Sequence, residues 1–164
     1  MGMTLAANPH SSPITLEDIL RQAEECEKAA AYPHDYAPYV IEVTPAKHHR
    51  VFLDAAYDLI HNDLYDDLII NTPPGSAKST YMSHVIPSWF VGQHPSKNVI
   101  LASHTATLAE KWSRRVRESV SSPAHQRLFT DSALSRGSTA VARWTTTEGG
   151  EVIAAGVGMS ILGL

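Results

Sequence analysis

Two short apolar runs, each followed by a helical pattern, constrain this chain more than any other feature of it. Residues 67–72 (DLIINT) read as a buried strand, and Lys78 to Val91 as the helix that follows it across a tight turn. Asn98 to Ser103 (NVILAS) reads as a second buried strand. Thr105 to Ser121 then reads as a helix, with Leu108, Trp112, Val116 and Val120 recurring every four residues. Strand, helix, strand, helix at these lengths predicts an α/β fold built on a parallel sheet flanked by helices. Pro87, inside the first of these helices, predicts a kink or an early end.

The flanking regions read differently. Residues 1–13 are small, polar and Pro-containing, a loose start that need not be ordered. Thr15 predicts a helix cap, with Glu17 and Asp18 in the first turn and Ile19, Leu20, Ala23 and Ala30 leading to Ala31. Pro33 ends that helix and Pro38 keeps the next stretch extended. A second helix is expected with Thr44 at its cap and Pro45 at its first position. It carries Phe52, Ala55, Ala56, Leu59 and Ile60 and stops near Asn62. Towards the C-terminal side, Ala140 to Thr147 and Glu151 to Ala155 flank Gly149-Gly150 and predict a β-hairpin. Gly156-Val157-Gly158 follows as a glycine-rich loop.

Composition narrows the partners. The 164 residues carry a formal net charge of −4, which excludes a polycation that holds nucleic acid by bulk charge and leaves a local basic face possible. One cysteine, Cys26, excludes an internal disulfide framework and a Cys-built zinc site. There is no basic start followed by an apolar block, and Val152 to Leu164 is too short and glycine-rich for a membrane span. A soluble, intracellular protein is the expectation.

Chemistry concentrates between the first strand and its helix, at Asn71-Thr72-Pro73-Pro74-Gly75-Ser76-Ala77-Lys78-Ser79-Thr80. A phosphate-binding loop needs this context, because backbone N–H groups and a helix N-terminus then converge on the anion. Lys78 would reach the β and γ phosphates and the Ser79 hydroxyl would ligate magnesium. Thr72 and Ala77 stand where the GxxxxGK[ST] pattern has glycines. The same residues also read as a plain strand-to-helix connector whose Lys-Ser-Thr opens the helix. Against that reading, a cation at the positive end of a helix dipole is better explained when an anion lies between them.

Four ordered blocks, HHRVFLDAAYDLI, LIINTPPGSAKSTY, NVILASHTATLAEKWSRRVRESV and RWTTTEGGEVIAAGVGMSILG, resemble the N-terminal ATPase region of phage terminase large subunits, over roughly residues 45–163. That family carries a variant loop of the form PPxxxKS. The resemblance implies a P-loop NTPase of the ASCE type, with an extension over residues 1–43 bearing one helix and a partial ATPase domain over residues 44–164. It also implies that Pro74, Gly75, Ser76, Ala77, Lys78, Ser79 and Thr80 bind ATP, with Mg2+ on Ser79, to power DNA translocation into a procapsid. Implied partners are double-stranded DNA, the terminase small subunit, the portal protein and further copies of the chain in a ring, in the host cytoplasm.

The sequence departs from the family in three places. Gly75 and Ser76 stand where some members carry an arginine finger, and Met159 stands where a glycine is common. An acidic Walker B strand, which would hold magnesium and position water, does not follow the glycine-rich loop. Tyr39-Val40-Ile41-Glu42 lies upstream of the loop, and Asp66 and Asp67 precede their strand. The expectation is an N-terminal piece that binds ATP weakly and does not turn it over. A helicase-like motor and an inactive prophage remnant are the alternative readings.

Secondary candidates are fewer. Lys111, Arg114, Arg115 and Arg117 could face DNA phosphates, although the interspersed Glu110 and Glu118 favour a solvated helix face. His48 and His49 read either as neighbours of an adenine site, by the resemblance, or as capping and surface residues. Ser103-His104-Thr105 lies at the strand end where α/β sheets bind ligands, and equally suits a helix cap. Trp89, Trp112 and Trp144 read as core or half-buried aromatics, and Cys26 as a passive helix residue. No histidine pair has metal-site spacing.

Overall fold

The computed structural model describes residues 14–62, 66–137 and 140–157. Six helices and a small mixed sheet make an α/β fold among these residues. The expectations for residues 1–13 and for Gly158, Met159 and Gly163 lie outside them.

Helix α1 (Leu16–Ala31) starts as its sequence predicts. Thr15 accepts from the Asp18 N–H, and Asp18 returns the bond to the Thr15 N–H, a reciprocal capping box. A second helix, α2 (Pro33–Val40), occupies the stretch expected to be extended. Pro33 supplies a pre-set first turn, where a missing N–H costs nothing. Pro38 forfeits one bond within α2, and burial of Tyr36 and Ala37 in the core outweighs that loss. Helix α3 (Lys47–His61) begins after Ala46 instead of after the expected Thr44, and ends at Asn62. The ring nitrogen Nδ1 of His49 accepts from the Ala46 N–H at 3.1 Å and supplies the cap that Thr44 does not.

Helix α4 covers residues 78–93 in three pieces: an α turn (Lys78–Thr80), a π turn (Tyr81–Val85) and a final α segment (Ile86–Gln93). Pro87 does not end it. Proline has no N–H for the Ser83 carbonyl, and the bonding shifts by one residue just upstream, with the Ile86 N–H on the Tyr81 carbonyl. Helix α5 (Ala106–Val120) is capped by Thr105, and α6 (Pro123–Leu128) by Ser122.

Strand β1 (Val99–Ser103) pairs in parallel with β3 (Glu151–Gly156), from Val99 opposite Val152 to Ser103 opposite Gly156. Strand β2 (Arg143–Thr145) pairs antiparallel with β3, and Glu151 meets the Arg143 guanidinium across that ladder at 2.8 Å. The hairpin is therefore present, and the sheet is mixed, with order β1-β3-β2. Residues 67–72 form no strand. The run has no ladder partner among the described residues, and Ile69 is 82% exposed. An apolar run becomes a strand only where a neighbour accepts its backbone bonds, and the run pairs with no strand among the described residues, although β1 is an edge strand that uses only one side of its ladder, on β3.

Two cores hold the molecule together. Tyr36, Leu53, Tyr81, Val85 and Trp89 join α2, α3 and α4. Val91, Leu101, Val116, Val120, Trp144 and Val152 pack α5 and the end of α4 on one face of the sheet. Trp89 and Trp144 are fully buried and donate to the Ala30 carbonyl and the Ser113 hydroxyl. Trp112 is half-buried under Arg115. Residues of β3 are buried on both faces, whereas Ile100 and Ala102 leave one face of β1 exposed.

Candidate functional site

The chain between residues 72 and 80 turns through two left-handed positions, Gly75 at φ +84° and Ala77 at φ +53°. Glycine adopts the first without cost. Alanine at the second carries strain of about 1 kcal/mol. The turn is tied from within: Ser76 Oγ donates to Thr72 Oγ1 at 2.7 Å, and the Ser76 N–H reaches the Pro73 carbonyl at 3.4 Å. The Ala77 carbonyl then accepts the Thr80 and Tyr81 N–H groups and opens α4.

Pro73 and Pro74 bring no N–H groups to this turn. The backbone N–H groups of Gly75, Ala77, Lys78 and Ser79 form no hydrogen bond with any described residue. These four residues line one open cavity of about 390 Å³, bounded by residues 72–80. Orphan donors at a helix start attract an acceptor, and the helix dipole favours an anion there. All the sequence-predicted binding residues, Pro74, Gly75, Ser76, Ala77, Lys78, Ser79 and Thr80, line this cavity.

Lys78 does not extend into the open. Its Nζ donates to the Ile70 carbonyl at 3.3 Å, back along the strand-like run that leads into the turn. Ser79 is exposed at the cavity. None of the residues lining the cavity is acidic, and no group of three or more His, Cys, Asp or Glu side chains among the described residues could hold a metal ion.

A histidine fastens the turn from outside. His49 Nε2 donates to the Ser76 carbonyl at 3.0 Å, its Nδ1 accepts from Ala46, and its ring stacks on Tyr81 at 4.1 Å between centroids and 27° between planes. Tyr81 Oη donates to the Thr44 carbonyl at 3.3 Å, and partial burial pushes its phenol up. His49 is a capping residue, one of the two roles its sequence position suggests. Its 27-residue reach to Ser76 has no local signal in the sequence, nor does the part of Tyr81. His48 lies against His49 at 3.8 Å between ring centroids.

The remaining candidates stand apart from this cavity. Thr105 caps α5 by accepting from the Leu108 N–H at 3.3 Å, which fulfils the capping reading of Ser103-His104-Thr105. Lys111, Arg114 and Arg115 are exposed on α5, and Arg114 and Arg117 border a hollow that also includes Glu118. Cys26 Sγ and Tyr39 Oη lie 3.0 Å apart. No helix among the described residues is long and apolar enough to cross a membrane. Comparisons with protein-family models, with curated proteins and with solved structures find no match.

Proposed function

We propose that the 72–80 turn binds the phosphates of a nucleoside triphosphate, and that the chain is the nucleotide-binding portion of a DNA-packaging ATPase of the terminase large-subunit type. One observation carries the first half: four backbone N–H groups with no partner among the described residues belong to residues that line a single cavity at the start of a long helix. A charge-bearing Lys78 at the same point completes an anion site once its Nζ leaves the Ile70 carbonyl. The finer assignment, to a P-loop NTPase fold and to a packaging motor, rests on the resemblance of the four sequence blocks. Double-stranded DNA, a terminase small subunit, a portal protein and a ring of further copies are the partners that assignment brings with it.

Magnesium fits this site only in part. Ser79 offers one hydroxyl ligand, and no lining residue offers a carboxylate, so the ion would arrive already held by the nucleotide. Bound there, it would neutralise charge on the β and γ phosphates. The chain's own residues would bind and orient: the amides of Gly75, Ala77, Lys78 and Ser79 would hold the phosphate oxygens, and Lys78 would add a charge-assisted contact. With no lining carboxylate to position water, binding without turnover is the expected behaviour.

Calorimetric titration of the whole chain with ATP and magnesium tests this. Wild type should bind, inorganic pyrophosphate should compete, and Lys78→Ala should weaken binding by tenfold or more, since a charge-assisted contact contributes about 1.5–3 kcal/mol. Absence of binding at millimolar ATP sinks the reading. Phosphate release that disappears in Lys78→Ala would overturn the expectation of no turnover and leave the binding site standing.

A further inference from the structure

We propose that His49 is a positioning residue for this anion site, and that it acts by fixing the orientation of the Ser76–Ala77 peptide. The inference rests on the reading of the 72–80 turn as a phosphate site. Neither partner of the imidazole can exchange roles. A backbone carbonyl only accepts, so the bond to Ser76 requires a proton on Nε2. A backbone N–H only donates, so the bond from Ala46 requires a bare Nδ1. The two bonds together select one neutral tautomer, and the stack on Tyr81 holds the ring plane.

The consequence runs through a single peptide unit. The Ser76 carbonyl and the Ala77 N–H belong to the same trans peptide and point in opposite directions. Drawing that carbonyl onto His49 of α3 therefore turns the Ala77 N–H away from α3. Ala77 lines the cavity, and its N–H finds no acceptor among the described residues. Without His49 the Ser76 carbonyl has no other partner among the described residues, and the Ser76–Ala77 peptide can rotate between its two tied neighbours, the Ser76 N–H on the Pro73 carbonyl and the Ala77 carbonyl under the Thr80 and Tyr81 N–H groups. Ala77 sits at φ +53°, a backbone state that alanine leaves readily when released. Tyr81 begins the π turn of α4, so the same contact also links the turn to the irregular part of its helix.

Two variants separate the donor from the ring. His49→Phe keeps the aromatic stack and loses both hydrogen bonds. His49→Gln loses the stack and places an amide donor at the reach of Nε2. Titration of the ¹⁵N-labelled whole chain with inorganic pyrophosphate, followed at the Ala77 amide resonance, is expected to show about tenfold weaker binding for His49→Phe. For His49→Gln the binding should stay within about threefold of wild type. Binding of His49→Phe equal to wild type, or of His49→Gln as weak as His49→Phe, overturns the proposal. In either case loss of binding in Lys78→Ala leaves the phosphate reading intact. A wild-type chain whose Ala77 resonance ignores pyrophosphate removes the phosphate reading and the role of His49 with it. A second measurement needs no ligand and no variant: the ¹⁵N spectrum of the histidine rings must show His49 protonated at Nε2, and an Nδ1-protonated His49 overturns the proposal even if every variant fails to fold.

Discussion

Two helix starts, both following apolar runs, treat their backbone donors in opposite ways. At residues 103–106 the chain leaves β1, Thr105 caps α5, and the backbone closes on itself so tightly that a Cβ on Gly156 would stand 2.5 Å from the Ala106 nitrogen. At residues 72–80 the chain leaves a run without a ladder partner among the described residues, turns through Gly75 and Ala77, and keeps four donors that none of those residues pairs, on residues lining a cavity. Closure at the start of α5 contributes to stability. The start of α4 forgoes that contribution and leaves donors that an anion could take, so a turn that is poor as a cap is the better candidate site.

The start of α6 is closed more completely still, and acid is the strongest way to probe it. Ser122 accepts from the His125 N–H, Tyr36 Oη donates to His125 Nδ1 at 2.7 Å, and His125 Nε2 donates to Ser132 Oγ at 2.8 Å. Ser132 Oγ in turn donates to the Phe129 carbonyl, which fixes the direction of every bond in the chain. Burial pushes the His125 imidazole down from 6.5 to about 4. As pH falls below 6.5 the unfolded chain takes up this proton and the folded chain does not. The stability held above pH 6.5 is therefore lost progressively down to about pH 4. Urea unfolding at pH 7 and pH 4 should differ by about 3 kcal/mol from this group alone. His84 is pushed the same way by burial and then by Arg115, and adds to the loss. A flat profile between pH 7 and pH 4 would show that the start of α6 is not closed as described.

Glycine substitutions compare the starts of α5 and α4 directly. Gly156→Ala forces a methyl group against backbone, which cannot move aside as a side chain can, and should destabilise by about 2–3 kcal/mol. Gly75→Ala meets nothing within 4 Å, so only its φ of +84° is at stake, and the expected cost is about 1–2 kcal/mol. The order of the two, read from chemical denaturation, is the test. Equal losses would mean that the start of α5 is as open as the turn. Removing the cap itself, Thr105→Ala, should cost about 1 kcal/mol, the usual value for a lost N-cap.

The sequence announced the local features and concealed the tertiary ones for one physical reason. Caps, spacing and hairpin glycines are local: Thr15 with Asp18, Leu108 to Val120, and Gly149-Gly150 all act within a few residues, and the elements they predict are present. The failures are tertiary. Residues 67–72 have the composition of a strand and no partner among the described residues to make them one, and α2 forms because Tyr36 and Ala37 are wanted in a core. At the candidate site, the glycine, lysine and serine of the turn were legible because the phosphate-loop pattern places them within a few residues of one another. His49 was visible as a capping or surface residue or, by the resemblance, as a neighbour of an adenine site, and not as a partner of Ser76, since that bond crosses 27 residues and depends on how α3 meets α4.

Ala77→Gly is the smallest of these effects and discriminates by its sign. If Ala77 holds the left-handed conformation at φ +53°, glycine relieves about 1 kcal/mol of strain. Glycine also restores freedom to the unfolded chain, which costs about 0.5–1 kcal/mol, so stability should change by less than about 0.5 kcal/mol or rise slightly. If residue 77 were instead an ordinary right-handed first turn of α4, there would be no strain to relieve, and the substitution would destabilise by about 1 kcal/mol. A helical residue 77 would turn the Ser76–Ala77 peptide along the helix axis, and His49 could not then hold its carbonyl. A clear loss of stability in Ala77→Gly would therefore erase the contrast between the starts of α4 and α5, whereas a neutral result keeps the open turn as an intrinsic feature of the fold.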